Sequence, residues 1–281
     1  KFYVEHLGAD FSDYVQEHET YYQAFTEARA ILAQLGRVQV IDRLLLPNFM
    51  FGPQDIVVAI GQDGLVANTL KYLSDQVLLG VNPDPRRWDG ILLPFVVRDL
   101  KTIVVEVFKG KRPLKEVTIA QVVLNDGQRL SAVNDFFIGQ KTHLSARYTL
   151  QIGMQKERQS SSGIIVSTGL GSTGWLKRVL AGASRLISQT SGGRQAHDVV
   201  GKVAWDVDHL FFSVREPFPS KTSSTDLVFG QITKKTPLKI LSEMAENGVI
   251  FSDGIESDYL AFNSGIEATI IPADKKGKLI V

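Results

Sequence analysis

The sequence contains no cysteine. That absence removes disulfides, thiol catalysis, iron–sulfur clusters and cysteine-ligated zinc together. It fits a reducing compartment, so the expected location is a bacterial cytoplasm or the mitochondrial matrix rather than the secreted space. An excess of one charge is also missing: 31 Lys and Arg stand against 30 Asp and Glu, for a net charge of +1. Nucleic-acid-binding domains usually carry a basic excess, so neither nucleic acid nor a membrane is expected as a partner. No apolar run approaches the length of a membrane span. The five histidines (His6, His18, His143, His197 and His209) are scattered without H-E-x-x-H spacing, and no protein-held metal is expected. There is no G-x-x-x-x-G-K-[ST] phosphate loop and no G-x-S-x-G nucleophile elbow, which argues against P-loop kinases and Ser-His-Asp hydrolases. The chain opens on Lys1, as it would had a leader or tag been removed, so targeting cannot be read from it.

What is present is a globular composition, 44% hydrophobic and 22% charged over 281 residues, enough for one large domain or two ordinary ones. Residues 17–35 show helical apolar spacing closed by Gly36 as a C-terminal cap, and a short strand is expected at 38–41. Residues 55–60 form a continuous apolar run, as expected of a strand covered on both faces. A helix over 65–73 and a strand over 77–81 complete a strand–helix–strand crossover, the mark of a parallel sheet. A further helix covers 96–108. Beyond Pro113 most segments are short and strand-like: 117–124, 131–138, 147–152, 164–167, 209–214, 238–241, 249–252 and 267–271. Turn signals separate them, and one helix interrupts them at 175–187. Loops are expected at 155–162, 191–198 and 221–225. The expected fold class is α/β plus mainly-β: an α/β domain over 1–112, a β-rich, sandwich-like domain over 113–262, and a segment 263–281 that returns to the first domain.

Two glycine-hinged segments carry the chemistry. Gly61-Gln62-Asp63-Gly64 follows the first buried strand. Glycines there let the backbone approach a ligand and aim amides at phosphate oxygens, and the next helix N-terminus favours anions. Asp63 would then sit near phosphates as a general base, unless it is simply an Asp-Gly turn capping the helix. On such sheets ligands bind beyond the carboxyl ends of the strands, which groups Asp63 with Asn82. The second segment, Gly169-Leu170-Gly171-Ser172-Thr173-Gly174, spells G-x-G-x-x-G between a strand and a helix. The parallel strand and acid that a dinucleotide fold needs about twenty residues on are missing, so a dehydrogenase reading is disfavoured. Trp175 could cover a base or could be a core residue starting a helix.

In this order, these residues resemble the NAD kinase family. Gly61 to Gly64 stands where the family has Gly-Gly-Asp-Gly-Thr. Leu79 to Asn82 resembles its Gly-Ile/Val-Asn strand end, Asn134-Asp135 its Asn-Glu/Asp motif, Ser167 to Trp175 its Ser-Thr-Pro-Thr-Gly-Ser-Thr-Ala-Tyr, and Asp253-Gly254 its late Asp-Gly turn. The resemblance runs from about Glu17 to Phe262. Val81 to Pro85, Ser161 to Gly163, and Ser213 to Pro217 are similar to the mitochondrial-type branch. The resemblance implies ATP-dependent phosphorylation of the adenosine ribose 2′-hydroxyl of NAD, with Mg²⁺ arriving on ATP. It implies Asp63 acting on that hydroxyl, Asn134 and Asp135 holding the adenosine moiety, and Thr173, Gly174 and Trp175 lining its pocket. Thr168, Gly171 and Ser172 belong to the same motif, and Gly61, Gln62, Gly64, Asp253 and Gly254 would lie around the phosphates. It also implies a homo-oligomer, a dimer or larger, with small-molecule nucleotides as partners.

The departures are specific. Gln62 replaces a glycine and Leu65 a threonine. If position 62 required a left-handed backbone, a side chain there would cost about 1–2 kcal/mol. Ser162 stands where the family carries an acid. These leave open two other readings: a catalytically weak relative that binds a nucleotide for regulation, and a lipid-type kinase of the same superfamily. The Asn134-Asp135 and Thr173 motifs suit a nucleotide better than an acyl chain.

Overall fold

The computed structural model describes residues 1–8, 10–190 and 203–281. The loop expected at 191–198 lies outside the described residues. The chain divides into two compact units, Lys1–Lys115 with Lys278–Val281, and Glu116–Gly277.

The first unit contains α1 (Phe2–His6), α2 (Ser12–Ala33), β1 (Ile56–Ile60), α3 (Asp63–Leu70), β2 (Val77–Val81) and α4 (Leu100–Phe108). β1 and β2 pair in parallel from Ile56↔Val77 to Ile60↔Val81, as the crossover pattern requires. Lys278 and Leu279 add a parallel neighbour beside Val77 and Leu78. The core joins Ala24 and Ala28 of α2, Leu79 and Val81 of β2, Leu100 and Ile103 of α4, and Ile280.

Four local expectations are corrected here. α2 begins at Ser12 rather than 17, because Asp10 accepts from the Ser12 amide at 2.8 Å and Asp13 pairs with Arg87 at 2.6 Å. Its end is not a left-handed glycine cap: Gln34 stays right-handed, and the Gly36 amide donates to the Leu32 carbonyl at 3.2 Å. No strand forms at 38–41; Val38 and Val40 are exposed, and the chain passes into a short 3₁₀ helix at Arg43–Asn48. β1 is largely half-buried rather than fully covered, and among the described residues it is an edge strand beside β2.

The second unit contains β3 (Leu114–Leu124, entering from the first), β4 (Arg129–Ala132), β5 (Asp135–Gln140), β6 (Ala146–Ile152), β7 (Gln155–Ser161), β8 (Ile164–Ser167), α5 (Trp175–Thr190), β9 (Leu210–Val214), β10 (Phe229–Ile232), β11 (Leu238–Ser242), β12 (Gly248–Ser252), β13 (Ile255–Ala261) and β14 (Glu267–Ile280). Within it, β14, β11, β6 and β7 lie side by side, with β3 and β4 joined through β14. A second, antiparallel sheet runs β10-β9-β8-β5-β12-β13. The core lies between the sheets: Phe136, Ile138, Val166, Phe212 and Ile250 meet Val122, Tyr148, Leu150, Ile240 and Ile270. This is sandwich packing.

The expected single strand at 131–138 is two strands, β4 and β5, in different sheets. The expected loop at 155–162 is mostly β7. Its buried positions, Glu157, Gln159 and Ser161, are polar, so no hydrophobic alternation marks it. They are satisfied instead by a network: Gln159 accepts from the Tyr148 hydroxyl at 3.1 Å, and Glu157 accepts from the Leu227 amide at 3.1 Å. β14 is also far longer than the expected 267–271. No helix among the described residues is long and apolar enough to cross a membrane.

Candidate functional site

In the first unit, Gly61 closes β1 by donating to the Val81 carbonyl at 3.3 Å, and Gln62 occupies the N-cap position of α3. Gln62 sits at φ −108°, ψ 163°, an extended backbone open to any residue, so the expected strain is absent. Asp63 is the first residue of α3, and its carboxylate accepts from the Leu92 amide at 2.7 Å and the Ile91 amide at 3.3 Å. Those two bonds fix its orientation. Leu92 is held from the other side as well: a Cβ on Gly80 would stand 2.0 Å from its carbonyl oxygen. Gly64 is exposed on the first turn, and Leu65 folds back over the turn, so that a Cβ on Gly61 would meet Leu65 Cδ2 at 3.1 Å. Asn82 is buried and uses both ends of its amide locally, donating to the Trp88 carbonyl at 2.9 Å and accepting from the Asp84 amide at 3.0 Å.

The second unit contains a cavity of about 430 Å³ lined by Asn134, Asp135, Phe137, Trp175, Phe251, Asp253 and Gly254. That is a small-molecule size, about 300–1,000 Å³. Register explains the lining. Phe137 pairs with Phe251 across β5 and β12, so both rings emerge on one face. Their rings lie 6.3 Å apart at 19°, and Trp175, at the start of α5, stacks on Phe137 at 5.7 Å and 18°. Phe137 lies flat because its neighbours are glycines: a Cβ on Gly139 or Gly163 would come within 2.7 Å of its ring. Arg215 places its guanidinium 5.4 Å from the Trp175 ring, a cation–π contact.

The Asn134-Asp135 corner owes its shape to Asp253. Asp253 and Gly254 form the two-residue turn between β12 and β13, with φ of 53° and 72°, the left-handed pair an Asp-Gly hairpin supplies. From that turn the Asp253 carboxylate accepts from three successive amides, those of Val133 (3.0 Å), Asn134 (2.6 Å) and Asp135 (3.2 Å). The chain therefore leaves one sheet and enters the other at this point. The G-x-G-x-x-G segment supports the same corner from below. Thr168 donates its hydroxyl to the Val133 carbonyl at 2.6 Å and its amide to the Asn134 carbonyl at 3.0 Å. A Cβ on Gly171 would sit 2.2 Å from the Asn134 oxygen. Ser172 and Thr173 direct their hydroxyls to the Gly169 and Leu170 carbonyls at 2.7 and 3.1 Å, and Gly174 donates to Gly171 at 2.8 Å. The second motif is thus a scaffold beneath the cavity, and Trp175, which follows it, lines the cavity itself.

Asp135 is the electrostatic centre of the cavity. The residue as a whole is half-buried, but its Oδ1 is enclosed with no hydrogen-bond partner among the described residues. Burial pushes its carboxyl up to about 7; the Ser167 hydroxyl opposes the rise, and the negative Asp253 adds to it. Among the described residues no group of three or more His, Cys, Asp or Glu gathers as metal ligands would.

Neither a protein-family model nor a curated protein matches the sequence. Solved structures do. An NAD kinase from Archaeoglobus fulgidus, in complex with ATP, is similar with a TM-score of 0.61 at 16% identity, over 92% of this chain and 89% of that one. Yeast NADH kinase, complexed with NADH, is similar with a TM-score of 0.60 at 17% identity, over 81% of this chain. The fold is that of the NAD kinases. This chain spans 61% of the length of the yeast protein. Reasoning from the sequence missed the flat aromatic wall made by Phe137 and Phe251. The available signal was their place on strands beside the glycines at 139 and 163.

Proposed function

We propose that the protein is an NAD kinase, transferring the γ-phosphoryl group of ATP to the 2′-hydroxyl of the adenosine ribose of NAD. The observation that carries this reading is the cavity of the second unit. Its parallel aromatic rings suit a base, and the Asn134-Asp135 corner beside them suits the polar edge of a nucleoside, on a fold shared with an NAD kinase and an NADH kinase. In the reaction the ribose oxygen bonds to the γ-phosphorus, the bond to the ADP oxygen breaks, and Asp63 orients the hydroxyl and takes its proton. The hydrogen bonds from the Ile91 and Leu92 amides hold the carboxylate for that task. General-base help of this kind is worth about 10²–10⁴ in rate. Magnesium would be held by the ATP phosphates, whose charge it neutralises.

The test is a coupled assay of purified protein with NAD or NADH, ATP and magnesium, alongside calorimetric binding of NAD. Formation of NADP or NADPH, lost in Asp63→Ala with NAD binding retained, supports the proposal. Turnover unchanged in Asp63→Ala removes that residue from its role. A second reading, nucleotide binding without transfer, is favoured by one observation: the apolar Leu65 side chain covers the glycine turn where a hydroxyl is expected. Binding of NAD with no product would select it, and phosphorylation of a lipid alcohol but not NAD would select the lipid-kinase alternative.

A further inference from the structure

The cavity of the second unit holds two carboxyl groups in very different situations. Asp253 has its oxygens engaged by the amides of Val133, Asn134 and Asp135. Asp135 has an Oδ1 that is enclosed with no hydrogen-bond partner among the described residues, and the residue lines the cavity together with the rings of Phe137, Trp175 and Phe251, so that its other carboxyl oxygen is the one left to meet a ligand. An ionised oxygen buried without a donor is costly, and a second negative charge close by makes it costlier. A neutral carboxyl group escapes both costs and gains an O–H that can donate into the cavity.

We propose that Asp135 meets its nucleotide as the neutral acid, donating its proton in a hydrogen bond to an unprotonated ring nitrogen of the base that lies against the aromatic wall. This rests on the nucleotide-site reading given above and adds the protonation state in which the site works. The groups that face Asp135 are consistent with it. Asp253, in the β12–β13 turn, is the charged group that acts on it among the described residues, and it disfavours ionisation. The Ser167 hydroxyl on β8 acts in the opposite sense. Trp175 on α5 contributes a ring, with the Arg215 cation 5.4 Å from that ring. Burial dominates, and the carboxyl titrates near 7, within reach of ordinary assay conditions.

The two protonation states give opposite pH trends. If the neutral acid binds, NAD affinity is flat at low pH and weakens about tenfold per pH unit above the titration point, and binding there takes up a proton. If the carboxylate binds by accepting from a hydroxyl, affinity tightens as pH rises. The experiment is calorimetry of NAD with the full chain from pH 5.5 to 8.5, in buffers of differing ionisation enthalpy to count protons, repeated with Asp135→Asn. The expected result is weakening above about pH 7 with uptake approaching one proton, and a flat profile without uptake in Asp135→Asn, whose amide donates at every pH. Affinity that is constant or tightens with pH, or uptake unchanged in the variant, overturns the proposal while leaving the nucleotide site intact. Absence of NAD binding at every pH overturns both. The native profile and proton count carry the test if the variant fails to fold.

Discussion

Removing the Asp253 carboxylate is the sharpest perturbation of the second unit. Three backbone amides lose their acceptor in Asp253→Ala. A hydrogen bond to a charged group contributes about 1.5–3 kcal/mol. Val133 is fully buried, so its amide loses about 2 kcal/mol. Asn134 and Asp135 are half-buried, and water replaces most of their loss, leaving about 0.5 kcal/mol each. Alanine at φ 53° adds about 1 kcal/mol of backbone strain. The expected cost is about 4 kcal/mol, or about 8–16 °C in the melting temperature of a unit this size. Asp253→Asn tolerates the left-handed turn and keeps one acceptor oxygen, so it is expected to cost about 1–2 kcal/mol. Denaturant unfolding followed by circular dichroism separates the cases. A cost below about 1 kcal/mol for alanine, or equal costs for the two variants, refutes the claim that this carboxylate builds the Asn134-Asp135 corner.

Other outcomes follow from the same geometry. Asp135 titrates near 7 when folded against 3.8 when free. The native state therefore binds more protons, and the stability this group contributes is full below pH 3.8 and gone above about pH 7. Against Asp135→Asn, the native protein should lose about 4 kcal/mol of relative stability across that window; parallel stability–pH curves for the two proteins count against it. Gly171→Ala places a methyl against the Asn134 carbonyl, a backbone atom that cannot move aside, and should destabilise by about 1–3 kcal/mol; a melting temperature equal to the native one contradicts this. Trp175→Ala removes the ring stacked on Phe137 and should weaken NAD binding by about 1 kcal/mol, roughly fivefold; unchanged affinity removes Trp175 from the base site. Asp63→Ala should lower turnover by about 10²–10⁴ with the circular dichroism spectrum unchanged.

Much of the architecture was legible in the chain. β2 and β8 fall where their apolar runs lie, and parallel pairing of β1 with β2 follows from the crossover between them. Local pattern failed where partners decide the outcome. Val38 and Val40 alternate like a strand but lie exposed, outside any strand. Residues 155–161 read as a loop because their buried face is polar, and hydrogen bonds with Tyr148 and with the Leu227 backbone make that face stable. Asn134, Asp135, Trp175, Asp253 and Gly254, which line the cavity, were singled out from sequence, but Phe137 and Phe251 were not, and neither was the division of labour among them. Thr168 and Gly171 shape the backbone of Asn134, and Asp253 shapes the whole corner from 120 residues away.

By itself, the sequence determined which segments could form strands and helices and which side chains could do chemistry, because periodicity, glycine placement and functional groups are local properties. Only the tertiary structure decided that Asp253 would become an anchor and Asp135 a buried acid. Both are aspartates beside glycine-rich or polar turns, and what separates them is the number of amides aimed at each and the water excluded around it, which no stretch of chain carries alone.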